Sequence, residues 1–140
     1  MPDITHDDRA VEALLRRKPR IAMVGASDNP ARDSNRVFLY MRRHGYDVLP
    51  VNPTTPAVDG VATVPDLAAA LGKGPVDLVD VFRAPDQVGP VVDAAIAAKA
   101  KAIWFQLGVV NEPAIRKALE AGMEVVVDRC IKIEHARFGL

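Results

Sequence analysis

The chain has 140 residues, 49% apolar and 26% charged, and its 18 Lys plus Arg balance 18 Asp plus Glu for a formal net charge of zero. That length suits one domain of roughly 100–200 residues with a real core, and leaves no room for a second, substrate-holding domain. The composition excludes a wholly disordered chain, and the balanced charge argues against nucleic acid, whose binding domains are normally basic.

Cys130 is the only cysteine. It can form neither an internal disulfide nor a Cys-cluster zinc site, and a reducing, cytoplasmic setting is expected. The start, Met1-Pro2-Asp3-Ile4-Thr5-His6-Asp7-Asp8, is acidic and lacks the apolar region of a secretory signal. No run approaches the roughly 18 apolar residues of a membrane span. His6, His44 and His135 do not have metal-ligand spacing, so no metal is expected.

In chain order, Val11, Leu14 and Leu15 predict a leading helix from Asp8 to Arg17, with Thr5 and Asp8 as a capping box. Residues 1–19 thus read as an N-terminal helical extension, and 20–140 as the main domain. Arg20 to Val24, closed by Gly25, predicts a strand buried on both faces. Ser34 to His44 predicts a helix, with Gly45 after its end. Asp47 to Val51 predicts a second strand, ended by Pro50. Residues 52–56 read as a turn-rich loop, 60–64 as a short strand, and 65–71 as a short helix with Pro65 in its first turn. Then come a strand from Asp77 to Phe82, a helix from Pro85 to Ala98 and a strand from Ala102 to Phe105. A helix capped by Asn111 runs to Ala121. The last strand runs from Glu124 to Asp128, with a short helix from Ile131 to Phe138. Strands alternating with helices predict an α/β fold: a Rossmann-like, doubly wound, mainly parallel sheet flanked by helices.

Such sheets bind ligands at the carboxyl ends of their strands. Those ends carry Gly25-Ala26-Ser27, Asn52-Pro53, Phe82-Arg83, Gln106-Leu107-Gly108 and Asp128-Arg129-Cys130. Five small, polar or cationic sites on one edge predict a crevice. The glycine turn opens a crossover to a helix, whose N-terminal amides suit a phosphate. It lacks the full G-x-G-x-x-G fingerprint, because Ser27 and Pro30 hold the later glycine positions. The second strand ends in Asn52, where a carboxylate would hold a nicotinamide cofactor's ribose. Both features favour a phosphate-bearing ligand over NAD. Arg32, Arg36 and Arg83 are the candidate phosphate partners, with Arg83 best placed, while Arg42 and Arg43 lie at the far end of their helix. Cys130, between Arg129 and Lys132, is a candidate reactive thiol, although a lone cysteine is most often a small buried hydrophobe. Asp77 and Asp80 do not read as an acid/base pair, and Trp104 reads as core.

The chain resembles the small stand-alone CoA-binding proteins. The resemblance rests on Val24-Gly25-Ala26-Ser27 with Pro30, Ser34 and Val37, then Gly45-Tyr46 and Val51-Asn52-Pro53. It continues through Asp80-Val81-Phe82-Arg83, Trp104-Phe105-Gln106-Leu107-Gly108, Ala121-Gly122 and Val127 to Lys132. That family is similar to the N-terminal CoA-binding domain of the succinyl-CoA synthetase α subunit. The resemblance implies coenzyme A, or an acyl-CoA, as ligand, held by the loop after the first strand, the Asn-Pro loop and the Phe-Arg turn. It also implies that Gln106, Gly108 and Cys130 line the inner end near the pantetheine arm. The synthetase's phosphohistidine and nucleotide-grasp partner are missing, so ligase activity is not expected. The implied role is non-catalytic: binding, carrying or reporting CoA. The alternative is an enzyme or redox carrier that joins Cys130 to CoA as a thioester or mixed disulfide, and an NAD(P)-dependent oxidoreductase stands behind both. A homodimer fits the base rates for small α/β domains.

Overall fold

A computed structural model describes residues 3–140, so Met1 and Pro2 of the expected extension lie outside the described residues. The helices are α1 (Asp8–Arg16), α2 (Asp33–Arg43), α3 (Leu67–Gly72), α4 (Val88–Ala97), α5 (Glu112–Glu120) and α6 (Ile131–Arg137). The strands are β1 (Ile21–Val24), β2 (Val48–Val51), β3 (Ala57–Val58), β4 (Val61–Ala62), β5 (Leu78–Val81), β6 (Ala102–Phe105) and β7 (Glu124–Val127). Five strands form a parallel sheet in the order β2-β1-β5-β6-β7, so the α/β fold read from the sequence is the observed one. No helix among the described residues is long and apolar enough to cross a membrane.

Side chains alternate across the strands and feed two apolar layers. One joins Val79, Val81, Ile103, Phe105 and Val125 to α3, α4 and α5. The other joins Ile21, Met23, Leu78, Trp104 and Val126 to α1, α2 and α6. β1, β2, β5 and β6 are buried along their whole length, which explains why their sequences do not alternate. The expected leading extension contributes Val11, Leu14 and Leu15 to the second layer, and its start runs beside β7, where Ile4 N–H donates to the Val125 carbonyl at 3.0 Å.

Four local expectations change. Asp7, not a Thr5–Asp8 box, caps α1: its carboxylate accepts from the Ala10 amide. Thr5 is diverted to the sheet, where its hydroxyl accepts from Val127 N–H at 3.0 Å. Pro50 lies inside β2 without ending it, because β2 is an edge strand and Pro costs no ladder bond there. The expected 60–64 strand is instead part of a two-stranded antiparallel hairpin, β3–β4, turned by Asp59 and Gly60, both at positive φ (48° and 77°). The helix expected from Pro85 begins as a 3-10 turn (Pro85–Gln87) and becomes α-helical at Val88.

From β1 the chain moves outward to β2, and from β5 it steps the other way to β6 and β7. The reversal lies between β1 and β5. A crevice opens at the carboxyl ends of strands beside such a switch point.

Candidate functional site

A cleft of about 830 Å³ opens at that switch point, a volume within the roughly 300–1,000 Å³ of small-molecule and cofactor sites. Gly25 forms its base. Its φ of 84° is one that L side chains rarely adopt, and a Cβ built on it would lie 2.0 Å from the Phe82 carbonyl oxygen. Glycine therefore lets the ends of β1 and β5 close together, with Phe82 N–H donating to the Val24 carbonyl at 2.9 Å.

The next loop delivers the start of α2. Ser27 Oγ accepts from Asn29 N–H at 3.1 Å, and Asn29 Oδ1 from Ala31 N–H at 3.0 Å. The buried Asn35 donates to the Ser27 carbonyl at 2.9 Å, pinning loop to helix. The N-cap residue of α2 is Arg32, and no side chain caps the helix. Its first amides are left without a side-chain acceptor, and they carry the positive end of the helix dipole. Ser27, Arg32, Ser34 and Arg36 line the cleft around that end. Arg36 pairs with Asp33 and donates to the Pro30 carbonyl, which holds its guanidinium beside the loop. Arg32 and Arg83 pair with no carboxylate among the described residues.

Apolar lining is supplied by Val37 of α2 and by Leu107, Val109 and Ile133. Ile133 is 54% exposed and Leu107 59% exposed, a cost that an uncharged ligand segment lying over them would relieve. On the floor, Gln106 donates from Nε2 to Asp80 Oδ1. Asp80 is fully buried, and burial pushes its carboxyl up to about 7, against the opposing pull of the Gln106 bond. At the far wall, Cys130 is half-buried at the start of α6. Trp104 is core, as read from the sequence, and its Nε1 donates to the Arg129 carbonyl at 2.8 Å, fixing the turn beside Cys130. Neither cation beside Cys130 is directed at its thiol. Arg129 contacts Glu134 at 3.4 Å and His6 at 3.5 Å, and Lys132 Nζ lies 5.6 Å from the Tyr40 ring centroid.

Among the expected site residues, the cleft gathers Gly25, Ser27, Arg32, Ser34, Arg36, Val37, Phe82, Arg83, Gln106 and Cys130. Ala26, Asn52, Pro53 and Gly108 do not line it. Asn52 instead donates from Nδ2 to the Ala26 carbonyl at 2.8 Å, while its Oδ1 accepts from Thr54 and Thr55. Gly108 gives its N–H to Asp128 Oδ1 at 2.8 Å. Sequence reasoning missed Val109 and Ile133 as wall residues and Asp80 beneath the floor. The available signals were an apolar residue outside the packing stripe of α6 and a carboxylate inside an apolar strand.

The sequence matches the CoA binding domain family over residues 19–136. It is 40% identical over 126 residues to the uncharacterized protein YneT of Bacillus subtilis, covering 90% of this chain and 92% of that one. A hypothetical protein from Pyrococcus horikoshii superposes with a TM-score of 0.89 at 39% identity, over 98% of this chain and 96% of that chain. The dinucleotide-forming acetyl-coenzyme A synthetase 1 of Ca. Korarchaeum cryptofilum superposes with a TM-score of 0.67 at 27% identity, over 76% of this chain but only 25% of the enzyme.

Proposed function

The chain belongs to the CoA-binding domain family, and on that premise we propose that it binds coenzyme A or an acyl-CoA in the cleft at the β1–β5 switch point, as a binding, carrier or regulatory protein without catalysis of its own. The observation that carries this reading is the uncapped N-terminus of α2 opening on the cleft with Arg32 beside it. A pyrophosphate and a ribose phosphate carry the charge such a corner attracts. Arg83, which also lines the cleft and has no carboxylate partner among the described residues, supplies a second cation. The uncharged pantetheine arm then runs along Val37, Val109 and Ile133 to bring its sulfur toward Gln106 and Cys130. In this reading Ala26, Asn52, Pro53 and Gly108 serve as the frame of the site, holding its loops in place.

Calorimetry with coenzyme A, dephospho-coenzyme A and NAD tests the proposal. Coenzyme A is expected to bind saturably, dephospho-coenzyme A more weakly by about tenfold for one lost charge-assisted contact, and NAD not measurably. An absence of saturable heat with coenzyme A at high protein concentration would sink it.

A further inference from the structure

Asp80 sits mid-sheet with no exposed surface. Its register partners on β1 and β6 are Met23 and Trp104, neither of them ionisable. Its Oδ1 accepts from Gln106 Nε2, and its Oδ2 has no partner among the described residues. An orphaned buried carboxylate oxygen costs stability, and the flanking Val79 and Val81 show that apolar side chains suit this strand. Gln106 is buried too, yet it lines the cleft. One end of its amide is thus held by Asp80 and the other is left for the cleft. A primary amide is an acceptor at one end and a donor at the other. Turning it over changes what the floor offers without moving the backbone.

We propose that Asp80 is a positioning residue that selects which end of the Gln106 amide meets the sulfur end of the ligand, and so sets the preference between a thioester and a free thiol. The proposal rests on the coenzyme A reading above. With Asp80 ionised, the carboxylate holds the Gln106 NH2 and the amide oxygen faces the cleft. That oxygen accepts from a thiol and opposes a thioester carbonyl. With Asp80 protonated, its hydroxyl can donate to the amide oxygen, an orientation that the carboxylate forbids. The NH2 then turns to the cleft and donates to a thioester carbonyl. Only a proton is exchanged with solvent, and no covalent bond to the ligand forms or breaks.

Burial raises the Asp80 carboxyl to about 7, so both states are populated near neutrality. No ionisable group on the elements packed over this face, α1, α2 and α6, bonds to Asp80; on α1, Asp8 is paired with Arg137 and Glu12 with Arg16. Arg36 of α2, Lys132 of α6 and Cys130 line the cleft wall, Tyr40 is bonded to His135, and Glu134 is paired with Arg129 and Arg137. Burial raises the Asp80 carboxyl and the Gln106 bond opposes that rise.

The test is calorimetry of coenzyme A and acetyl-coenzyme A from about pH 5.5 to about pH 8.5, scored as the ratio of the two affinities. Titration of the phosphates the two ligands share cancels in that ratio. The ratio of acetyl-coenzyme A to coenzyme A affinity is expected to fall by about three- to tenfold as pH rises through the Asp80 transition, the worth of one matched or mismatched hydrogen bond. In Asp80→Asn the side-chain amide can hold Gln106 either way round without a proton, and the ratio is expected to be flat. A flat ratio in the wild-type protein overturns the proposal, as does a slope that survives in Asp80→Asn. The wild-type profile stands alone should the variant fold poorly. Binding of both ligands with a flat ratio removes only the role of Asp80, whereas no binding of either at any pH removes the coenzyme A reading and this proposal with it.

Discussion

Gly25→Ala tests whether the cleft depends on the close approach of two strand ends. An alanine there must hold a φ of 84°, which costs roughly 1–2 kcal/mol for an L residue. Its Cβ would also lie 2.0 Å from the Phe82 carbonyl oxygen, so β5 must retreat by about 1 Å to reach even the shortest real contacts. That movement pulls on the Phe82 N–H bond to the Val24 carbonyl, worth about 1 kcal/mol. Displacing the packed strand end adds roughly 1–3 kcal/mol of overpacking, so the total is at least about 3 kcal/mol, a large share of the roughly 5–15 kcal/mol that holds a domain folded. At about 3 °C per kcal/mol for a chain of this length, the melting midpoint is expected to fall by about 10 °C. Gly60→Ala is the matched control. Its φ is 77° and nothing lies within 4 Å of a Cβ there, so only the backbone cost applies. Differential scanning calorimetry of the two variants isolates the carbonyl approach. If they melt within about 3 °C of each other, the pinch between β1 and β5 is not what demands glycine.

Arg32→Ala is expected to weaken coenzyme A binding by about three- to tenfold while leaving stability within about 0.5 kcal/mol, because the side chain is exposed and serves no carboxylate. Titration calorimetry paired with a urea melt reads both, and unchanged affinity would remove Arg32 from the phosphate corner. His135 is buried, and desolvation, with His44 and Lys18 adding, holds its pKa below the ordinary value of 6.5. The unfolded chain therefore binds a proton that the folded chain resists. The stability His135 contributes is full above about pH 6.5 and is lost as pH falls from there toward the depressed folded value. Urea midpoints should drop from about pH 7 to about pH 5, and drop less in His135→Gln. Equal slopes would refute the assignment. Intact mass after incubation with coenzyme A disulfide should show a mixed disulfide at Cys130, with one free coenzyme A released, and none in Cys130→Ser. An unmodified wild-type protein would place the sulfur end of the ligand elsewhere.

The order of strands and helices was legible because burial on both faces leaves a strong mark. Ile21 to Val24, Ala102 to Phe105 and the apolar core of β5 read as strands from hydrophobicity alone. Position in the sheet was not legible. Pro50 reads as a terminator in any strand, and only the edge placement of β2 makes it harmless. The 60–64 strand was read, but β3 and its pairing with β4 were not, because two residues are too few for any periodicity. The hairpin's signal lay in Asp59-Gly60, a pair suited to a tight hairpin turn. Thr5 shows a different limit. A hydroxyl three residues before a carboxylate reads as a cap, but a long-range bond to β7 competes for it and wins. Asp80 was visible as a carboxylate among valines, yet its meaning depends on Gln106, which lies on the next strand's exit.

The same distinction separates the lining of the site from its frame. Three contacts tie the ends of neighbouring strands together, Asn52 to the Ala26 carbonyl, Gly108 N–H to Asp128 and Trp104 to the Arg129 carbonyl, and a fourth, Asn35 to the Ser27 carbonyl, ties the first loop to α2. Asn52 and Gly108 belong to the motifs that carry the family resemblance; Asn52 gives its Nδ2 to the loop after β1 and its Oδ1 to its own loop, and Gly108 gives its N–H to the loop after β7. A motif residue can thus shape a cleft through the loops it holds. Loops already joined in pairs lose little freedom when a ligand arrives, which lowers the ordering cost of binding. The residues free of such ties, Arg32, Arg83, Leu107 and Ile133, line the cleft. The cleft thus presents cations and apolar surface together. A ligand with a charged head and an uncharged arm answers both demands, whereas a compact anion would leave the apolar wall uncovered.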